Sequence, residues 1–344
     1  MAKIGVLGAG TWGTALARML AVNGHNVTIW SALPEELTRM QATRKHPNLP
    51  GMTLPDSLAY TPDTAEVCRE KDILLFAVPS VFVRSTARAA LPYLADGQIV
   101  VDVAKGIEPG TLMTMSQVIE DELATRPGLE KVRVVALSGP THAEEVALDL
   151  PTTIVASCRE LAAAEKTQDI FMNPMFRVYT NQDIIGVELG GAVKNIIALA
   201  CGISTGLGYG DNAKAALITR GAAELTRLVL ACGGSQETVA GLAGIGDLIV
   251  TCTSIHSRNY RAGMLLGQGR TAEQARAEVG MVVEGINAIP GVKALEAQYG
   301  IEMPIVDSVD EVVSGRMDAR DGMGTLMTRK KTAEFKNPAP ESEA

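Results

Sequence analysis

The order of apolar and polar positions divides the 344 residues into two parts. In the first, short apolar runs alternate with amphipathic stretches. KIGVLGAGTWG at 3–13 opens as a strand that runs into Gly8, Gly10 and Gly13, and TALARMLAVNGH continues as a helix ended by Gly24. NVTIW at 26–30 reads as the next strand. Further strands are expected around Leu58 to Thr61 and at 72–80, 98–106, 132–140, 152–157 and 176–180, with helical stretches between most of them. Near-continuous Val, Ile and Leu marks strands buried on both faces, as in a mostly parallel sheet covered by helices. The pattern predicts an α/β Rossmann-type dinucleotide-binding domain over 1–183.

After about residue 183 the strand rhythm stops. Residues 212–232, 271–280 and 292–300 carry apolar positions three and four apart, the spacing of helices. GLAGIGDLIVTCTS at 241–254 reads instead as a glycine-punctuated connection carrying Asp247. Ser257 is placed to cap a helix whose first turn holds Arg258 and Asn259. The expectation is an all-α C-terminal domain over 184–330, then a flexible tail, 331–344, that is polar and proline-bearing.

One stretch stands between these parts. IIGVELGGAVKNIIALACGISTG at 184–206 is apolar and, at about 1.5 Å per residue, long enough to cross a bilayer. Glu188, Lys194 and Asn195 near its centre and the lack of a Lys/Arg-rich flank argue for a buried helix without membrane insertion. Glu188 and Lys194 are six residues apart, which is no helical neighbour spacing, so they form no simple surface ion pair. Lys194 has two readings: a stem lying along the core with its ammonium in water, or a desolvated cation with a chemical task.

Composition narrows the partners. A formal charge of -8 gives no global field for nucleic acid or an anionic membrane, and 4% aromatic residues leave little for stacking on bases. A small anion remains allowed wherever positive charge gathers locally. The five cysteines are widely spaced with no C-x-x-C pair and read as reduced thiols. The first residues lack the long apolar region of a signal peptide, so a cytoplasmic protein is expected. Isolated histidines and the absence of H-E-x-x-H or a cysteine cluster predict no metal.

The glycines supply the first chemistry. In G-x-G-x-x-G between a strand and a helix, Gly8 allows the tight turn, Gly10 lets backbone approach a pyrophosphate, and Gly13 permits close helix-on-strand packing. The free N–H groups of the following helix then hold the phosphates. After NVTIW the chain has Ser31-Ala32-Leu33, neither an acid for ribose hydroxyls nor an arginine for a 2'-phosphate, and Arg39, Arg44 and Lys45 lie too far along. The choice between NAD and NADP stays open.

Ligands of such sheets gather at the carboxyl ends of the strands. The polar residues there are Pro79 and Ser80, Lys105 with Gly106, and Ser138 to His142. Lys105 is read as a phosphate-side cation or as an exposed loop lysine. A helix start bearing Arg258 and Asn259 suits an anion, although an ordinary capped helix would look the same. Asp247 is at minimum a turn former. Lys105, Lys194 and Arg258 together suggest a cleft for an anion beside a nicotinamide. There the cofactor carries the hydride, and a lysine with lowered proton affinity supplies the proton.

GAGTWGTALA at 8–17, AVPS at 77–80, AKGIEPGT at 104–111, LSGPTHAEEVA at 137–147, GVELGGAVKNIIALACGISTGLGYGDNAKAALITRG at 186–221, GLAGIGDLIVTCTS with HSRNYRAG to 263, and VVEGINA at 282–288 resemble the bacterial NAD(P)-dependent sn-glycerol-3-phosphate dehydrogenases. The resemblance runs to about residue 330. It implies interconversion of dihydroxyacetone phosphate and sn-glycerol 3-phosphate, the precursor of glycerophospholipids. It also implies Lys194 as proton donor and acceptor and Lys105 touching both substrate and cofactor. Gly139, Thr141, Asp247, Ser257, Arg258 and Asn259 would line the substrate site, while Thr11, Trp12, Ala143, Arg258, Val282 and Glu284 would meet the dinucleotide. Two departures stand out: Thr11 where many members have serine, and Ser31-Ala32-Leu33 where many have a basic residue. A homodimer is expected.

Three rival readings remain. G-I-S-T-G at 202–206 matches the G-x-S-x-G of serine hydrolases, but that motif needs a strand before it and a helix after it. A non-catalytic dinucleotide sensor would need the fold alone. Other two-domain dehydrogenases of hydroxy acids or hydroxyacyl thioesters share the layout without the phosphate grip.

Overall fold

A computed structural model describes residues 1–334; the remainder of the expected tail, 335–344, lies outside the described residues. Eight strands form one sheet: β1 (Lys3–Leu7), β2 (Asn26–Trp30), β3 (Ala59–Thr61), β4 (Ile73–Phe76), β5 (Ile99–Asp102), β6 (Arg133–Ser138), β7 (Thr152–Ser157) and β8 (Phe176–Asn181). Their spatial order is β3-β2-β1-β4-β5-β6-β7-β8. All neighbours run parallel except β6 and β7, which are antiparallel. The order reverses between β1 and β4, and the crevice outside the carboxyl ends at such a reversal is where α/β sheets bind ligands.

The strands read as continuous apolar runs because both faces are covered. Ile4, Val6, Ile73, Leu75, Ile99 and Val101 point into one apolar layer with Leu16 and Leu20 of the helix Thr11–Val22. Leu7, Leu74, Phe76 and Val100 point into the opposite layer with Val83, Val118 and Ile119. β4, β5 and β6 are each shorter than the run that predicts them, whereas β2 and β7 keep their expected bounds. The chain leaves the sheet at Phe76, Asp102 and Ser138 and continues from each as loop.

Beyond β8 the described residues are helical. The helix Ile184–Gly206 is the only one among them long and apolar enough to cross a membrane, and 94% of its most apolar window is buried inside the protein. Asp183 caps it by accepting the Gly186 N–H at 2.8 Å. Around it pack Asp211–Ala231, Asp247–Thr253, Arg258–Gly267 and Glu284–Tyr299. Its closest partner is Arg258–Gly267, and the two backbones nearly touch. A Cβ on Gly202 would lie 2.1 Å from the Tyr260 carbonyl oxygen, and one on Gly263 2.2 Å from that of Leu199. Only glycine at both crossings lets the two helices meet.

Two expectations need correction. Residues 241–254 are not a connection: a π-type turn, Leu242–Gly246, leads directly into the helix Asp247–Thr253. Of the glycines that look like breakers, Gly244 serves close approach, since a Cβ there would stand 2.0 Å from the Val239 carbonyl oxygen. Gly190 of the central helix does the same from the other side, where a Cβ would stand 2.5 Å from the Ala243 carbonyl oxygen. The helix expected from 292 begins at Glu284 and continues through Pro290. Burial of Ile286, Ala288, Ile289 and Val292 against the central helix outweighs the proline's missing N–H.

Candidate active site

Four strand ends present loops on one edge of the sheet: Gly8 after β1, Ser80 after β4, Lys105 after β5 and Gly139 after β6. At the first, Gly8 has φ +123°, and a Cβ there would collide with the Ala77 carbonyl oxygen at 2.6 Å. A Cβ on Gly13 would lie 2.1 Å from the Gly8 carbonyl oxygen, so this glycine seats helix on strand. Gly10 faces open space, with nothing within 4 Å of a Cβ. Thr11 Oγ1 beside it is buried without a hydrogen-bond partner. An open backbone face at a helix start with an unsatisfied hydroxyl fits a dinucleotide pyrophosphate. Trp12 is half-buried against the adjoining apolar layer.

The lysines converge on one carboxylate. Asp247, fully buried at the first turn of its helix, accepts a hydrogen bond from the Lys194 ammonium through Oδ1 and from Lys105 Nζ through Oδ2 at 2.6 Å. Lys194 also donates to Thr251 Oγ1 at 2.8 Å. Its side chain is 7% exposed, so its nitrogen is held inside the protein and does not reach out to water. Burial, the largest influence, lowers the Lys194 ammonium to about 7; Asp247 opposes this and Lys105 adds to it. Burial alone would raise the Asp247 carboxyl, but the two lysines hold it below its ordinary value. Two ammoniums on one carboxylate leave an excess of positive charge in a desolvated place.

The route of each lysine is built locally. Asp102 at the end of β5 accepts the Ala104 N–H at 3.2 Å and turns the chain toward Lys105. The Lys105 stem then lies against Gly191, where a Cβ would come within 3.2 Å of its Cγ. Glu188, buried on the same helix as Lys194, makes no pair with it. It accepts the Ser116 N–H at 2.7 Å and the Ser116 hydroxyl at 2.5 Å.

A second set of groups lies where the helix Arg258–Gly267 meets the central helix. Ser257 caps it by accepting the Tyr260 N–H at 3.2 Å. Asn259 donates to Asn195 Oδ1 at 2.8 Å and accepts the Gly285 N–H at 2.8 Å, tying three helices together beside Lys194. Arg258 makes no hydrogen bond or ion pair among the described residues, and burial, opposed by the charges of Glu284 and Glu144, lowers its proton affinity. Glu284 accepts from the Ser80 N–H at 3.2 Å and hydroxyl at 2.7 Å, joining the helical part to the loop after β4. Val282, partly exposed, precedes that helix. Thr141 donates to the Gly139 carbonyl at 3.3 Å, and Ala143 opens the short helix Ala143–Ala147.

Lys105, Lys194 and Asp247 are thus in direct contact, and Asn259 is bonded to the residue after Lys194. Thr11 and Trp12 stand apart at the glycine turn, with no hydrogen bond to the lysines. The sequence reading missed Thr251 and Asn195. Thr251 lies four residues after Asp247, a same-face spacing that a helical reading of 241–254 would have exposed. Ser204 is buried at 1% exposure in the last turn of the helix Ile184–Gly206, with a helix and no strand before it, which removes the serine hydrolase reading. Among the described residues no group of His, Cys, Asp and Glu could hold a metal ion.

Comparison with known proteins adds to this geometry. Residues 3–164 match the N-terminal model and residues 183–323 the C-terminal model of NAD-dependent glycerol-3-phosphate dehydrogenase. A glycerol-3-phosphate dehydrogenase [NAD(P)+] of Lactobacillus delbrueckii subsp. bulgaricus is 61% identical over 97% of this chain and 99% of its own length. One from Agathobacter rectalis is 51% identical over 97% and 98%. The crystal structure of glycerol-3-phosphate dehydrogenase from Coxiella burnetii superposes with a TM-score of 0.89 at 37% identity, covering 95% of this chain and 99% of that one. With both halves matched and identity sustained end to end, the chain belongs to the NAD-dependent glycerol-3-phosphate dehydrogenase family.

Proposed function

We propose that the chain interconverts dihydroxyacetone phosphate and sn-glycerol 3-phosphate with NAD(P)H. Residues 1–183 then form the dinucleotide domain and 184–330 the substrate and catalytic domain. The observation that carries this is the buried carboxylate of Asp247 holding two ammoniums, Lys105 and Lys194, together with an arginine that has no protein partner among the described residues, at a helix start tied through Asn259 to the residue after Lys194. A bound nicotinamide supplies or accepts the hydride. Lys194 gives its proton to the carbonyl oxygen as that oxygen gains charge, and takes it back in the reverse direction, a role worth about 10² to 10⁴ in rate. Asp247 and Thr251 aim the amine, each accepting one of its hydrogens.

Arg258 grips the substrate phosphate, which does not react, with Ser257 and Asn259 at the same helix start. Lys105 adds the second positive charge on the sheet side, and Gly139 and Thr141 line the same space. Thr11, Trp12, Ala143, Val282 and Glu284 face the dinucleotide, together with Lys105 and Arg258. A protein of this activity would work in the cytoplasm, as a homodimer, and feed glycerophospholipid synthesis.

The test monitors absorbance of the reduced nucleotide with dihydroxyacetone phosphate and, separately, with dihydroxyacetone. Rapid oxidation only with the phosphorylated substrate supports the proposal. Equal rates on both would remove the phosphate grip, and binding without turnover would leave the sensor reading in place.

A further inference from the structure

The adenosine end of the dinucleotide belongs between the glycine turn and the end of β2, where a carboxylate close after the strand ordinarily takes the ribose hydroxyls. The chain has Ser31-Ala32-Leu33 there and offers none in the strand's own line. The helix Pro34–Thr43 compensates. From its first turn Glu36 reaches back, and Oε2 accepts the Ser31 hydroxyl at 3.0 Å. The same hydroxyl oxygen accepts the Leu33 N–H at 3.1 Å. Ser31 is buried, and its proton is committed to holding the carboxylate. The carboxylate therefore stands at the strand end although its residue does not.

Its position relative to the turn is set by the sheet. Trp30, just before Ser31, accepts the Gly8 N–H at 3.0 Å, so the carboxylate is anchored one residue from the backbone that starts the phosphate turn. Glu36 is half-buried, and its other oxygen, Oε1, accepts no hydrogen bond among the described residues. That oxygen is available to a hydroxyl.

The nearby cations do not offset it. Arg44 is committed elsewhere, donating from Nε to the Leu54 carbonyl at 2.8 Å and pairing with Asp56 at 2.9 Å. Lys45 is exposed. His46 is buried next to the turn and its proton affinity is lowered, chiefly by burial, against the opposing pull of the Ala9 carbonyl and Glu36. Arg39 is the remaining candidate, exposed on the same helix with no ion pair to Glu36.

We propose that Glu36 accepts the 2'-hydroxyl of the adenosine ribose and excludes a 2'-phosphate, so that the chain prefers NADH to NADPH. The inference rests on the glycine turn being the dinucleotide site. A 2'-phosphate would bring about -1.5 to -2 charges against a fixed carboxylate whose geometry Ser31 does not let relax.

The experiment is equilibrium binding to the full chain, read by nucleotide fluorescence without triose substrate, for NADH and NADPH, with wild type, Glu36→Gln, Ser31→Ala and Arg39→Ala. Wild type should bind NADH about tenfold more tightly than NADPH, and Glu36→Gln should shrink that ratio about fivefold, mainly by tightening NADPH. Ser31→Ala, which frees the carboxylate without removing it, should shrink the ratio less, and Arg39→Ala should leave it unchanged. Equal affinities in wild type, an unchanged ratio in Glu36→Gln, or selective loss of NADPH binding in Arg39→Ala would overturn the proposal. If neither nucleotide binds, the dinucleotide site itself is misassigned. Binding without turnover would instead fault the proposed reaction and leave the Glu36 test readable.

Discussion

Asp247 and Lys194 are 53 residues apart in sequence and share a buried hydrogen bond. The contact does two things at once: it keeps the amine desolvated and supplies the one negative charge that keeps it ionisable near neutral pH. Asp247→Asn preserves shape and removes that charge. The buried Lys194 ammonium and the partly exposed Lys105 ammonium then lack a counter-charge, and breaking a buried pair costs about 3 to 5 kcal/mol. Lys194 should lose its proton at lower pH, and turnover at neutral pH should fall together with the melting temperature. A variant as stable and as active as wild type would show that the bridge carries no energetic weight.

The pH dependence of the reaction has a definite sign. Burial lowers the Lys194 ammonium to about 7. With Lys194 as the proposed proton donor, reduction of the ketone needs the protonated amine, so its rate should decline as pH rises through about 7. Oxidation of the alcohol needs the neutral amine and should rise over the same interval. Lys194→Ala should abolish both limbs and reduce turnover by about a hundredfold or more while nucleotide binding persists. Parallel pH profiles in the two directions would rule out Lys194 as the titrating group.

In the proposed reading Arg258 grips a group that does not react, so its loss should act on binding. Arg258→Ala is expected to raise KM for dihydroxyacetone phosphate far more than it lowers kcat. Inorganic phosphate, a competitor for the same guanidinium, should inhibit wild type and lose that effect in the variant. Steady-state kinetics with and without phosphate decide it. An unchanged KM with weakened nucleotide affinity would assign the arginine to the cofactor alone.

Most of the sheet could be read in advance because its signals are local. Alternate residues of β1, β4 and β5 feed two apolar layers, and the glycines after β1 stand beside the strand they terminate. The lysine bridge could not be read from spacing, since Lys105 and Asp247 meet across 142 residues. Thr251 was lost for a different reason: Gly241, Gly244 and Gly246 look like a loop, and only their packing reveals a helix about to start. Glu36 was hidden because a side chain from the next helix fills a role usually sought on the strand itself.

The helix crossing gives a stability prediction. A methyl on Gly263 would meet the Leu199 carbonyl oxygen at 2.2 Å and the Gly202 Cα at 2.9 Å, both backbone atoms that cannot step aside. Gly263→Ala should therefore push the two helices apart at a cost of about 1 to 3 kcal/mol and lower the melting temperature. Gly324→Ala is the control, since nothing lies within 4 Å of its Cβ. It should be neutral or stabilising by up to about 1 kcal/mol through helix propensity. Equal melting temperatures for the two variants would contradict the close-packed crossing.

Glu224 couples stability to pH away from the active site. It is 2% exposed and accepts the Ile305 N–H at 2.8 Å and the Val306 N–H at 3.3 Å, capping the helix Pro304–Val313 from another helix. Burial, outweighing those two bonds, raises its carboxyl from 4.5 to about 7. A folded value above the unfolded one means the fold holds the proton more tightly. The stabilisation is then complete below about 4.5 and is lost as pH rises through about 7. At about 1.36 kcal/mol per unit, the contribution lost across that window is at most about 3.5 kcal/mol. Glu224→Gln keeps an acceptor oxygen and cannot ionise, so its stability relative to wild type should improve as pH is raised from about 5 to about 7 and level off above that. Denaturant unfolding of both proteins across that range measures the difference directly, and a constant offset would mean that Glu224 does not change its protonation there.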